Sequence, residues 1–229
     1  MTFESALRLC GILVGFAFFL QSLEHLQRPR DGRAFFAARA FTSLWLMSGI
    51  FAPVAAAVLF IFGIESLRKF DGPYNGGSDR MGLLVLWTVL IGELATWPLV
   101  REVAFGYLAL QLVLSYFMAG LVKIRDPQWR NGEAMARIFR ASIYPVSDSR
   151  RAWGDRPGLM FALGWGTLAF ELLFPLALIR PESLLVALGL AFTFHIANAF
   201  ILGLNRFVWT WLAAFPALIW FQAKMMGLV

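Results

Sequence analysis

Long apolar runs separated by short, basic polar stretches set the pattern of this chain. Eight runs, at about 6–23, 34–50, 52–67, 81–99, 103–122, 158–179, 182–202 and 206–227, approach the ~17–25 residues that cross a bilayer as a helix. The pattern predicts an all-α, polytopic transmembrane bundle forming a single domain over 1–229. Runs two and three are short, Arg39 lies within the second, and Ser48-Gly49 with Pro53 marks either a tight turn or a kink. Between the fifth and sixth runs lies a basic segment, 123–157, that does not read as a span. In it Ala134, Ile138, Phe139, Ile143 and Tyr144 share a helical face, with Arg137 and Arg140 beside it. That predicts an interfacial amphipathic helix attracted to anionic lipid and ended by Pro145, with Val146–Pro157 as a polar link.

Composition agrees with the pattern. Apolar residues make up 59% of the 229 and charged residues 15%, with mean hydropathy +0.69. A soluble domain has about 45–50% apolar and about 25% charged residues. The net charge of +6 sits mostly in the loops, as membrane topology requires, and calls for no nucleic-acid partner. One cysteine, Cys10, excludes an intrachain disulfide, and with only His25 and His195 no metal site is expected. Residues 1–8 carry both Arg8 and Glu4, and no small-residue cleavage site follows the first run, so it reads as a retained span rather than a signal peptide.

Charge also orients the chain. With eight crossings, one face receives sixteen basic residues, including all eight from Lys123 to Arg156, and the other receives four. The basic face is expected to be cytoplasmic, in a bacterial inner membrane, with both termini outside.

Several ionisable residues interrupt the apolar runs. Glu93 and Glu171 lie within spans, where a charged carboxylate costs roughly 2.5–3.5 kcal/mol, so both are expected to face the bundle interior. Pro175, four residues after Glu171, leaves that residue's carbonyl without its helical partner. His195 and Asn198 are three apart and share a helical face. The stretch from Asp71 to Arg80, with Asn75, Gly76-Gly77 and Asp79, is dense in turn formers, and its glycines let backbone N–H groups approach a ligand oxygen. Lys123 closes the fifth run one turn after Ala119-Gly120, small residues that admit a neighbouring helix or a flat ligand. Such a lysine is either a snorkelling anchor or, if it faces a pocket, a usable proton acceptor.

Tyr116-Phe117-Met118-Ala119-Gly120, then Lys123, then Trp129 and Gly132, resembles the corresponding segment of vitamin K-dependent gamma-carboxylases. It is also similar to the wider bacterial HTTM (horizontally transferred transmembrane domain) proteins. The resemblance implies a quinone or hydroquinone as cofactor and Lys123 as the base that deprotonates it. Asp71 and Asn75 match a carboxylase loop containing Trp-Asn-Asn-His, with Tyr74 as an aromatic replacement; the histidine of that loop falls at Gly77, which argues against gamma-carboxylation itself. His195, Asn198 and Phe207 fall on a similar Phe-His-x-x-Asn pattern. The implied site has Lys123 and His195 as catalytic residues. Tyr116, Trp129, Glu93, Glu171, Asn198, Asp71, Asn75 and Asp79 are its binding residues.

Two functions compete. One is an enzyme that deprotonates or oxidises a quinol-like lipid. The other is a non-catalytic membrane component that docks a soluble redox or peptide-modifying partner through the basic 123–156 face, a role suggested by a loose similarity to DoxX-type proteins around Tyr-Phe-x-Ala-Gly-x-x-Lys. A transporter has thin support, with no inverted repeat and few paired intramembrane charges.

Overall fold

The computed structural model describes residues 1–27, 32–69, 76–140 and 147–229, and among these every regular element is helical. In chain order they are α1 (Phe3–Leu26), α2 (Arg33–Ser48), α3 (Ala52–Lys69), α4 (Gly76–Leu94), α5 (Pro98–Arg125), α6 (Pro127–Arg130), α7 (Glu133–Arg140), α8 (Asp148–Arg151), α9 (Pro157–Leu173), α10 (Pro181–Leu202), α11 (Asn205–Leu212) and α12 (Phe215–Met225). Short 3-10 stretches cover Ala152–Asp155 and Phe174–Ile179. Proline at the first position of α5, α9 and α10 fixes where each begins, since the missing N–H is one the helix start would leave unpaired anyway.

Among the described residues, four stretches are long and apolar enough to cross a membrane: Phe3–Leu26, Pro98–Arg125, Pro157–Ile179 and Pro181–Leu202. The protein is therefore a helical membrane protein. The turn-or-kink ambiguity at Ser48–Pro53 resolves as a turn between two helices. Gly49 adopts φ +81°, a left-handed conformation that suits glycine, and Phe51 follows at φ +49°. Arg8 of α1 closes this end of α2, donating from Nη1 to the Leu46 carbonyl at 3.1 Å and from Nη2 to that of Met47.

Two expected runs are divided. The run at 81–99 ends as a helix at Leu94 because Pro98 opens a new one, which puts Glu93 in the exposed last turn of α4 rather than inside the bundle. The run at 206–227 is broken at Ala213–Ala214 into α11 and α12.

The chain forms two compact units, Met1–Leu110 with Arg206–Val229, and Gln111–Asn205. The first packs α1 to α4, the start of α5, α11 and α12 around Leu46, Leu59, Leu86, Phe105, Leu108 and Leu218. Phe3, Phe105 and Trp220 form an aromatic cluster in it.

In the second unit α7 packs on α9. Met135, Ala136 and Phe139 are buried against Met160, with Trp129, Leu159, Leu163 and Ile201 around them. The buried face overlaps the expected one at Phe139, while Ala134 is half-buried and Ile138 is exposed. Ile143, Tyr144 and Pro145 lie outside the described residues. The segment expected as a polar link carries α8 and a 3-10 turn, tied down by Arg140 Nε donating to Asp155 Oδ1 at 2.9 Å.

Candidate functional site

Two polar pairs occupy one face of α5 in the second unit. Tyr116 and Lys123 are seven residues apart, two helical turns or about 10 Å along the axis, so their side chains leave the same side.

The first pair is Tyr116 with His195 of α10. The phenol oxygen and Nε2 are 2.7 Å apart, and both side chains are buried. Phe170 and Phe174 of α9 and its 3-10 extension lie against the tyrosine ring at 4.2–5.2 Å between centroids. Phe194 packs on Phe170 in turn. This aromatic sleeve keeps the hydrogen bond dry, which strengthens it and makes loss of either partner costly.

The second pair is Lys123 with Glu171 of α9. Lys123 Nζ donates to Glu171 Oε1, and the glutamate side chain is only 4% exposed. The same ammonium lies 5.0 Å from the centroid of the Trp129 ring, near enough for a cation–π contact. Asp126 caps α6 by accepting from the Gln128 N–H at 2.9 Å, which fixes the turn that brings Trp129 back toward Lys123. Glu171 Oε2 is buried and, among the described residues, has no hydrogen-bond partner.

Gly120 permits this pairing. A Cβ at that position would lie 3.0 Å from Glu171 Cβ and from Leu172 Cγ and N, so the small residue lets α9 approach α5 closely. Gly132, at φ +83°, gives the same closeness one loop later, where a Cβ would lie 2.7 Å from Phe161 N. The expected approach of a neighbour to Ala119-Gly120 is thus made by a helix of the chain itself.

The second unit brings together Tyr116, Lys123, Trp129, Glu171 and His195. Lys123 and His195 each pair with a different partner. Asn198 is half-buried and uses its backbone carbonyl to accept from Leu204 N–H at 3.2 Å, where α10 ends. The other expected residues belong elsewhere. Glu93 and Asp79 lie in the first unit, as does Phe207, stacked on Trp211. Asp71 and Asn75 are outside the described residues. Phe170 and Phe174 escaped sequence reading, because phenylalanine in an apolar span is unremarkable. Gln21, which bonds Asp79 at 2.6 Å, escaped it for a similar reason: a lone neutral amide carries no charge signal.

Among the described residues no group of three or more His, Cys, Asp or Glu is arranged to hold a metal ion. A cavity of about 440 Å³ in the first unit is lined by Trp87, Ile91, Leu99, Val103 and Tyr107, none of them an expected site residue.

No curated protein and no solved structure matches this chain. Residues 95–223, more than half of it and including the whole of the second unit, match the HTTM domain model. The chain belongs to the HTTM domain family.

Proposed function

We propose that the second unit binds a quinol-like lipid and that Lys123 takes a proton from its hydroxyl. The observation that carries this reading is the Lys123–Glu171 pair, an ionisable couple with one member almost wholly buried in a membrane helix. Ionisable groups are costly there and by default mark a functional site.

The residues fit a flat aromatic alcohol. Glu171 Oε2 is a buried acceptor with no partner among the described residues, so it can receive a hydroxyl hydrogen bond. The Trp129 ring lies beside the Lys123 ammonium, and Phe170 and Phe174 add apolar walls along the same face of α5. A hydroquinone, when bound, supplies an acidic O–H. Lys123 as the free amine accepts that proton, and Glu171 Oε1 then holds the resulting ammonium in position. Tyr116 and His195 orient the helices around this point through their shared hydrogen bond.

In the same reading the chain crosses a bacterial inner membrane eight times, with 123–157 on the cytoplasmic side and the sixteen basic residues on that face. Gamma-carboxylation itself is not part of the proposal, because Gly77 stands where the carboxylase pattern has histidine.

One observation favours the non-catalytic alternative. Lys123 already has a carboxylate partner, and exposed Arg125, Arg130 and Arg156 offer a basic surface to a soluble redox or peptide-modifying protein. Lys123→Arg separates the two readings, because arginine keeps the charge and the pair but cannot serve as a base near neutral pH. The measurement is the absorbance change that marks menaquinolate formed on mixing menaquinol with purified protein in nanodiscs, alongside quinol binding by tryptophan quenching. The enzymatic reading expects binding retained and proton transfer lost in Lys123→Arg. Wild-type proton transfer in that variant would remove Lys123 as the base.

A further inference from the structure

The connection between α5 and α9 carries more positive charge than the proton-transfer reading uses. From Lys123 to Arg156 the sequence has eight basic residues against four acidic ones, Asp126, Glu133, Asp148 and Asp155. Three of the basic groups hold carboxylates: Lys123 with Glu171, Arg137 with Glu133 and Arg140 with Asp155. Arg125, Arg130, Arg150 and Arg156 are exposed, and among the described residues none of them has a carboxylate partner. Residues 141–146, Ala-Ser-Ile-Tyr-Pro-Val, contain no acid that could supply one.

The second unit fixes where this charge lies. Gly120 of α5 opposes Glu171 and Gly132 opposes Phe161, so α9 runs antiparallel to α5. α10 returns from α9 across Arg180. The end of α5, the start of α9 and the end of α10 therefore lie at the same end of the unit, and all three belong to stretches able to cross a membrane. The connection is fastened to those helices. α7 rests on Met160, Trp165 Nε1 donates to the Arg130 carbonyl at 3.1 Å, and Arg150 Nη1 donates to the Phe200 carbonyl.

We infer that Arg125, Arg130, Arg150 and Arg156 bind the anionic headgroups of the membrane that these helices cross. Spans end where hydrocarbon gives way to headgroups, so lipid phosphates stand beside these arginines at high local concentration. A soluble acidic partner has to displace them. Trp153 and Ile138, exposed on the same connection, suit the border between hydrocarbon and water. This differs from an amphipathic helix lying in the interface: Met135, Ala136 and Phe139 of α7 are taken up by contact with α9, and the arginines meet the lipid. None of the four belongs to the Lys123–Glu171 pair, so the inference does not depend on quinol chemistry.

The test uses the full chain in phosphatidylcholine vesicles and compares spin-labelled phosphatidylglycerol with spin-labelled phosphatidylcholine. Electron paramagnetic resonance gives the fraction of each label held at the protein surface. The wild type should favour the anionic label by about five-fold or more, and added salt should weaken that preference. Arg125→Gln, Arg130→Gln and Arg156→Gln combined should lower it roughly two-fold or more. Arg180→Gln, at the opposite end of α9 and α10, should leave it unchanged. Arg125→Lys, Arg130→Lys and Arg156→Lys combined keep the charge and should keep the preference. Equal retention of both labels by the wild type, an unchanged preference in the glutamine variant, or its loss in the lysine variant would each overturn the assignment. Polyglutamate is the last probe. Binding of it to these arginines that phosphatidylglycerol does not weaken would give the face to a soluble acidic partner and overturn the assignment equally.

Discussion

Gly120 and Glu171 face each other so closely that a Cβ on residue 120 would stand 3.0 Å from the glutamate Cβ. The second contact, to Leu172 N, is with backbone, which cannot swing aside as a side chain can. Gly120→Leu should therefore force α9 off α5 and separate Lys123 from Glu171. The expected loss is about 1–3 kcal/mol of stability, the usual cost of overpacking. Thermal unfolding in detergent is the check, and a midpoint unchanged from wild type would show that the helices do not meet at this point.

Removing one member of the Lys123–Glu171 pair leaves the other without its counter-charge. Lys123→Met and Glu171→Leu should each destabilise, toward the low end of the roughly 3–5 kcal/mol seen for broken buried pairs, since the lysine side chain keeps 22% exposure. The double variant should be more stable than the sum of the single losses implies, because no lone charge remains. A double-mutant cycle measured by chemical unfolding decides this. Strictly additive losses would mean that the two groups do not interact.

Tyr116→Phe keeps the ring among Phe170 and Phe174 and deletes only the hydroxyl that meets His195. The expected cost is about 0.6–1.7 kcal/mol, the range for hydrogen bonds between membrane helices. A proton NMR signal from a histidine ring labelled with 15N should also move on this substitution. Neither change appearing would place the tyrosine and histidine apart.

In the proposed topology Ser149 faces the cytoplasm, next to Arg150 and Arg151. Ser149→Cys in a Cys10→Ser background should be protected from a membrane-impermeant maleimide in intact cells and react once cells are opened. Reaction in intact cells would reverse the assigned orientation.

How far the sequence led can be traced residue by residue. Glu171 and His195 stood out as polar groups within apolar runs and Lys123 as the end of one, while Tyr116 stood out only through the resemblance. Who pairs with whom did not, because the partners are 48 and 79 positions apart and packing at Gly120 decides the outcome. Lys123 and His195 were named together as catalytic residues of one site, and their direct partners are Glu171 and Tyr116. Glu93 was misplaced for a local reason: hydropathy carries on through Trp97-Pro98-Leu99, but proline ends the register of α4 and starts α5. The break between α2 and α3 was visible as Gly49 with Pro53, the count of basic residues favoured a turn over a kink, and the left-handed φ of Gly49 shows the turn. On α7 the apolar positions were read as one face through Ala134, Ile138 and Phe139, and contact with Met160 selects Met135, Ala136 and Phe139.

The separation of 48 positions between Lys123 and Glu171 also has a consequence for biogenesis. At about 5–20 residues per second, the ribosome makes the lysine several seconds before its carboxylate exists. During that interval α5 must enter the bilayer with its cation unmatched. A lysine two residues from the end of the helix tolerates this, because its stem reaches the headgroups. Arrival of α9 then gives the ammonium its carboxylate, so the charge passes from lipid to Glu171 while α10 to α12 are still to be made.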